Sequence, residues 1–202
     1  DLAVTANHAV AILPGNGSGA FSDPIVTDTG SLVPFHMVAG DLNADGMLDL
    51  AFTDDAGKIA VLLGEGNGAF APLSTFDTGR GDSHGLTMGD FNRDGNLDLV
   101  ATDWPGSALV LLLGDGSGSF VVNTTVALGG TFSFHIAAAD FDRDGNLDVA
   151  VTNLPEDAVG VLLGNGSGGF STAHTFSSGG YSIANLGVGD FNGDGWADLA
   201  TV

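Results

Sequence analysis

The chain contains no cysteine in 202 residues, which excludes a disulfide framework and any thiolate-based redox or metal chemistry. Positive charge is almost as scarce: four Lys and Arg stand against 25 Asp and Glu, for a formal net charge of −21. Such a surface repels polyanions and draws cations, so no nucleic-acid partner is expected and calcium is the first candidate ligand. Long apolar runs are missing too. None approaches the roughly 18 residues of a membrane-spanning helix, and no membrane insertion is expected. Absent as well is any amphipathic 3.6-residue pattern of helical length, and 33 glycines are too many for helix interiors. With 44% hydrophobic residues the chain is nonetheless expected to bury a core.

What is present is one block written four times. It reads DLNADGMLDLAFT from Asp41, DFNRDGNLDLVAT from Asp90, DFDRDGNLDVAVT from Asp140 and DFNGDGWADLATV from Asp190, with starts 49, 50 and 50 residues apart. Cut after the acidic part, the chain forms a single array of units 1–48, 49–97, 98–147 and 148–197, with residues 198–202 starting a fifth. It opens on Asp1 with DLAVT, the counterpart of DLAFT at 49–53, so we expect a mature or excised piece of a longer array.

Each unit repeats four short apolar segments. The first follows the acidic loop and is apolar on both faces, as in Leu97, Leu99 and Ala101 with Val100 opposite, which predicts a strand buried on both sides. The second ends at a glycine-rich turn and a phenylalanine, as in GDGSGSF before Val121 and GNGSGGF before Ser171. Glycines at alternate positions suit hairpin connections that need positive φ. The third segment is more polar and carries Pro24 in one copy and Pro72 in another, which predicts an edge strand. The fourth is made of small residues, such as Ile136-Ala137-Ala138-Ala139, suited to a crowded innermost strand. Four short antiparallel strands in about 50 residues, repeated, predict an all-β, β-propeller-type array of four-stranded blades that forms part of a larger propeller or array.

Within the acidic loops, oxygen side chains fall at positions 1, 3, 5 and 9 around a glycine at position 6. They are Asp41, Asn43, Asp45 and Asp49; Asp90, Asn92, Asp94 and Asp98; Asp140, Asp142, Asp144 and Asp148; and Asp190, Asn192, Asp194 and Asp198. Met47, Asn96, Asn146 and Trp196 follow the glycine and can each offer a backbone carbonyl. Alternate positions let a tight loop wrap its oxygens round one point, and hard oxygens in that number suit Ca²⁺ rather than the smaller, water-retaining Mg²⁺. A single D-x-N-x-D-G would be an ordinary turn. Four copies, each closed by an aspartate, predict about four Ca²⁺, one per loop. The match is to the first half of an EF-hand loop only: position 12 is Phe52, Ala101, Val151 or Thr201, so the position-9 aspartate must close the site.

With VGDFNGDGWADLA and LLGNGSGGF in hand, the units resemble FG-GAP/VCBS repeats, the calcium-loop β-propeller repeats of integrin α heads, bacterial surface proteins, some lectins and polysaccharide-degrading enzymes. The resemblance covers essentially the whole chain. It implies four-stranded blades in which each calcium loop joins the innermost strand to the next, and an extracellular or cell-surface location.

Histidine recurs just before the small-residue segment as His36, His84 and His135, with Asn185 in the fourth copy. If those segments line an axis, these residues ring one mouth of it and can bind a ligand or a transition metal; otherwise they are repeat-consensus residues bonded to neighbouring loops. Gly79-Arg80-Gly81-Asp82-Ser83 spells the tripeptide of integrin ligands, in one copy and in an expected loop, where short motifs also arise by chance. The glycine turns lead into a strand, not a helix, so dinucleotide binding is rejected. No nucleophile motif is present, and only the histidines, Tyr181 or Arg80 could act on a sugar acid. The expected function is therefore a calcium-binding extracellular module for adhesion or for binding a glycan or extracellular protein, without catalytic activity. The alternatives are a structural protein that self-associates through blade edges, and the propeller portion of a polysaccharide-degrading enzyme.

Overall fold

The computed structural model describes residues 1–104, 106–128, 134–153, 157–179 and 185–202. Tyr181 lies outside these residues. Among them every regular element is a strand, as glycine-rich, β-branched segments without a helical period require.

The strands form five antiparallel sheets in chain order. The first holds β1 (Leu2–Ala6), β2 (Ala9–Leu13) and β3 (Ile25–Asp28); the second, β4 (Met37–Gly40), β5 (Asp49–Thr53), β6 (Lys58–Leu62) and β7 (Ser74–Asp77). The third holds β8 (Asp82–Gly89), β9 (Asp98–Trp104), β10 (Ala108–Gly114) and β11 (Phe120–Ala127). The fourth holds β12 (Ile136–Ala139), β13 (Asp148–Asn153), β14 (Ala158–Leu162) and β15 (His174–Ser177); β16 (Leu186–Gly189) and β17 (Asp198–Thr201) form the last. Each strand pairs with its sequence neighbour, so every sheet is a meander.

The sheets are phased differently from the sequence units. The small-residue strand that ends one unit is the first strand of the sheet whose other strands come from the next unit, and the acidic loop lies inside the sheet as the β4–β5, β8–β9, β12–β13 or β16–β17 connection. The strands after the loops, β5, β9 and β13, are buried along almost their whole length because both faces are covered by neighbouring sheets. Their counterparts at the two ends, β1 and β17, are half exposed. The outer strands β3, β7 and β15 are short and exposed, and Pro24 and Pro72 lie just before β3 and β7 without interrupting a ladder.

The core is divided into four layers, one between each pair of successive sheets. Ile59, Val61, Leu99 and Val110 fill the layer between the second and third sheets, and Val100, Leu111, Val149 and Leu162 the next. Smaller clusters around Phe52 and Val10, and around Ala150 and Leu186, lie at the two ends. The inner strands β4, β8, β12 and β16 contact one another in that order. The packing there is tight at the glycines: a Cβ on Gly85 in β8 would meet the carbonyl oxygen of Phe134 at 2.8 Å.

Candidate functional site

The first, second and fourth acidic loops share one hydrogen-bond scheme, and the third keeps all of it except the bond to Asp140 Oδ1. In the second, Asp90 Oδ1 accepts the amide of Asp94 (3.0 Å), Asp90 Oδ2 that of Gly95 (2.9 Å), and Asn92 Oδ1 again that of Asp94 (3.0 Å). Asp94 Oδ1 accepts the amide of Asn96 at 2.8 Å. The first loop repeats these contacts through Asp41, Asn43 and Asp45, and the fourth through Asp190, Asn192 and Asp194. Carboxylates thus point inward while the loop backbone turns around them. The turn needs two left-handed residues: the glycine at position 6, and position 4, where Ala44, Arg93 and Arg143 have φ of 58°, 61° and 61° and the fourth loop has Gly193.

The position-9 aspartates Asp49, Asp98 and Asp148 are buried and join the loop to the sheet, while Asp198 is half-buried. Asp98 Oδ2 accepts the amide of Phe91 (2.9 Å) and its Oδ1 that of Gly114 (3.0 Å); Asp49 and Asp148 do the same for Leu42 and Gly64, and for Phe141 and Gly164. Glycine is required at the head of each turn, because a Cβ on Gly64 or Gly164 would collide with the carbonyl oxygen of Leu48 or Leu147. A carboxylate has about four lone-pair directions, so these aspartates can serve two amides and still face a cation. Burial pushes the Asp98 and Asp148 carboxyls up from ordinary values, while the Asn96 amide and the Asn92 side chain hold Asp94 down.

The third loop provides the test of fit. Asp140, Asp142 and Asp148 each offer an oxygen, and these lie within 4.8 Å of one another. Two oxygens on one Ca²⁺ are at most about 5.2 Å apart, twice the longest usual ligand distance. Asp140 Oδ1 is also buried with no hydrogen-bond partner, which a cation would satisfy. The group can hold a metal ion.

Loops are also tied to the next sheet. Phe91 packs edge to face on Phe170, ring centroids 5.7 Å apart, and its carbonyl accepts the amide of Gly168 at 3.2 Å. Leu42 O accepts the amide of Gly118 at 3.1 Å. In the first two of the four loops the acidic loop thus seats on the glycine turn of the following sheet, which gives the two motifs a reason to recur together. Two of the rare cations add to this: Arg93 Nη1 donates to Asn146 Oδ1 at 3.4 Å, and the Arg143 guanidinium lies 4.0 Å from the centroid of the Trp196 ring.

At the opposite end of the inner strands the histidines converge. The rings of His36 and His135 have centroids 4.9 Å apart at an interplanar angle of 80°. His84 stacks on Phe35 at 4.9 Å and touches Trp104 and Phe134 at 5.4 and 5.2 Å. Asn185 is exposed and pairs through its backbone with Val202. Burial lowers the pKa of all three imidazoles, that of His36 further through neighbouring His135, so they are neutral at pH 7. Buried threonines position them. Thr53 Oγ1 accepts the His36 amide (3.2 Å) and donates to His84 O (2.9 Å); Thr152 Oγ1 accepts the His135 amide (3.0 Å). Phe35, Trp104, Phe134 and these threonines were not signalled as a group, because only the fold brings the aromatics together. The threonine at the end of each buried strand, in contrast, is visible as a repeated letter in three of the four blocks.

The Arg80-Gly81-Asp82 tripeptide is not at a free loop tip. Arg80 Nη1 is 3.8 Å from Asp103 Oδ2, Asp82 opens β8 opposite Trp104, and the backbone of Arg80 and Gly81 lies against Gly57.

Meandering sheets stacked through separate core layers, with their inner strands side by side, define a repeat protein of β-propeller type. The chain belongs to the FG-GAP-like repeat family, whose pattern matches residues 41–101, 90–151 and 148–201. No curated protein sequence matches it. Similar solved structures include BBS1N in complex with ARL6DN, soaked with lead, at 13% identity and a TM-score of 0.66, covering 99% of this chain and 53% of that one. The periplasmic gluconolactonase PpgL of Pseudomonas aeruginosa is similar at 21% identity and a TM-score of 0.64, with 96% and 51% covered. A protein of unknown function from Bacteroides caccae is similar at 16% identity and a TM-score of 0.57, with 92% and 62% covered. The chain thus spans about half the length of the first two. At these identities the likeness concerns the fold.

Proposed function

We propose that the chain is a calcium-binding repeat module of an extracellular or cell-surface protein, in which the acidic loops hold the blades together and the histidine end meets a glycan or an extracellular protein. The observation that carries the calcium reading is the group of Asp140, Asp142 and Asp148 oxygens within 4.8 Å, one of them buried and unpartnered. The same acidic pattern in the other three loops, closed by Asp49, Asp98 and Asp198, supports about four ions per chain. The partner reading rests on the aromatic group around His84: flat apolar faces beside Asp82 and Arg80 suit stacking on a sugar or a side chain. A related fold, BBS1N, is seen in complex with a protein. Titration of the chelated chain with Ca²⁺ by calorimetry is expected to show about four ions. The Asp140→Ala variant should lose one of them. A stoichiometry of zero would overturn the reading. A glycan array, probed with wild type and a Trp104→Ala variant, tests the partner.

A second reading, self-association through blade edges, is favoured by the large apolar side chains exposed on the end sheets, such as Leu2, Val4 and Val26 at one end and Val188 and Phe191 at the other. Light scattering with and without calcium separates it from the first: concentration-dependent growth supports assembly.

A further inference from the structure

We infer that His36 and His135 form a second kind of metal site, selective for a borderline transition cation such as Zn²⁺, at the end of the inner strands opposite the calcium loops. The inference stands on three observations and is independent of the calcium reading.

The Nδ1 atoms of both residues are buried and have no hydrogen-bond partner. Buried polar atoms are nearly always paired, so two orphaned nitrogens on adjacent side chains ask for a shared explanation. Their ring centroids are 4.9 Å apart. An imidazole centroid lies about 3.2 Å from a metal bound at 2.0–2.1 Å, so two such rings at a tetrahedral angle have centroids about 5.2 Å apart. The observed separation is within about 0.3 Å of that value.

Both residues are also held by rigid structure. The amide and carbonyl of His36 pair with Thr53, through Oγ1 at 3.2 Å and the amide at 3.0 Å, and those of His135 pair with Thr152 in the same way at 3.0 and 3.0 Å. Two copies of one positioning device, on sheets that are not neighbours in sequence, bring two imidazoles into ring contact.

Imidazole nitrogen favours Zn²⁺, Ni²⁺ or Cu²⁺ over Ca²⁺, which takes oxygen ligands, so the two sites do not compete. With two protein ligands the remaining positions fall to water or to a donor from a bound partner.

The test uses the full chain in saturating Ca²⁺, so that the acidic loops are occupied. Zinc titration by calorimetry is expected to show one ion per chain, at least tenfold weaker in His36→Phe and in His135→Phe, which keep an aromatic ring in place, and unchanged in His84→Phe. A second readout needs no variant: long-range ¹H–¹⁵N spectra of the wild-type imidazoles should show Zn²⁺ shifting the Nδ1 signals of His36 and His135 and leaving those of His174 in place. Zinc binding that the two variants leave intact, or spectra in which neither Nδ1 moves, would overturn the assignment.

Discussion

The inner strands have two ends, and the two ends are built by opposite rules. At one, Gly40, Gly89, Ala139 and Gly189 lead into acidic loops that are near copies, with the same donors on the same oxygens. At the other, the residues before the strands differ from sheet to sheet: His36 meets His135, His84 meets Phe35, Trp104 and Phe134, and Asn185 is exposed. Sameness fits a device that every blade needs. Divergence fits a surface where the blades make different contributions. The acidic loops, although they carry most of the recognisable chemistry, are read better as joints than as an active centre.

Several perturbations break or sharpen this contrast. The largest effect is expected inside the joint. Asp98→Ala would strand the buried amides of Phe91 and Gly114, and at about 1–3 kcal/mol for each orphaned donor the loss is about 2–6 kcal/mol. Asp198→Ala, at an end sheet where Phe191 is exposed, should cost about 0.5 kcal/mol. Urea unfolding of the two variants measures the difference; equal losses would mean that the loops are not tied into the sheets as described.

A medium effect belongs to the histidine end. The folded-state pKa of each of the three histidines is lowered below the ordinary value of about 6.5, so the unfolded chain takes up protons first as pH falls. Stability is therefore fully present above that value and declines as pH drops through it towards the lower folded-state pKa. In saturating calcium, the urea midpoint at pH 5.5 should lie below that at pH 7.5, and the gap should shrink in His36→Phe. A midpoint that rises on acidification contradicts the burial of neutral imidazoles.

The smallest effect is expected between loops. Arg143→Ala removes the cation–π contact with Trp196, worth about 0.5–1 kcal/mol at an exposed site, and should exceed the loss from Arg93→Ala, whose hydrogen bond to Asn146 is long. Thermal melts of both variants order the two contacts.

Much of this was legible in the sequence because the repeat displays it four times. The apolar run on both faces at 97–101 predicted a buried strand, and β9 is buried; the small residues at 136–139 predicted an inner strand, and β12 contacts its counterparts in the neighbouring sheets. Phasing was not legible in the residues alone, since a repeat can be cut anywhere, but the resemblance implied that each acidic loop joins the innermost strand to the next, and β8 pairs with β9 across it. Nor was the seating of Phe91 on Phe170, because a periodic sequence does not say which copy touches which. The position-9 aspartate was read as a closing ligand, but its additional pairing with a glycine amide 15 or 16 residues later depends on the close approach of two backbones. Arg80-Gly81-Asp82 was expected in a loop, and Arg80 and Gly81 lie in the exposed β7–β8 connection, but Asp82 opens β8 and Arg80 faces Asp103.

The central claim, that calcium in the acidic loops belongs to the stability of the fold, is tested most directly by the melting temperature in calcium against excess chelator. A single loop held at 100 times its dissociation constant adds about 2.7 kcal/mol. In a chain of this size each kcal/mol moves Tm by about 2–4 °C, so chelation should lower Tm by at least about 5 °C. A melting temperature that chelator leaves unmoved would contradict the account.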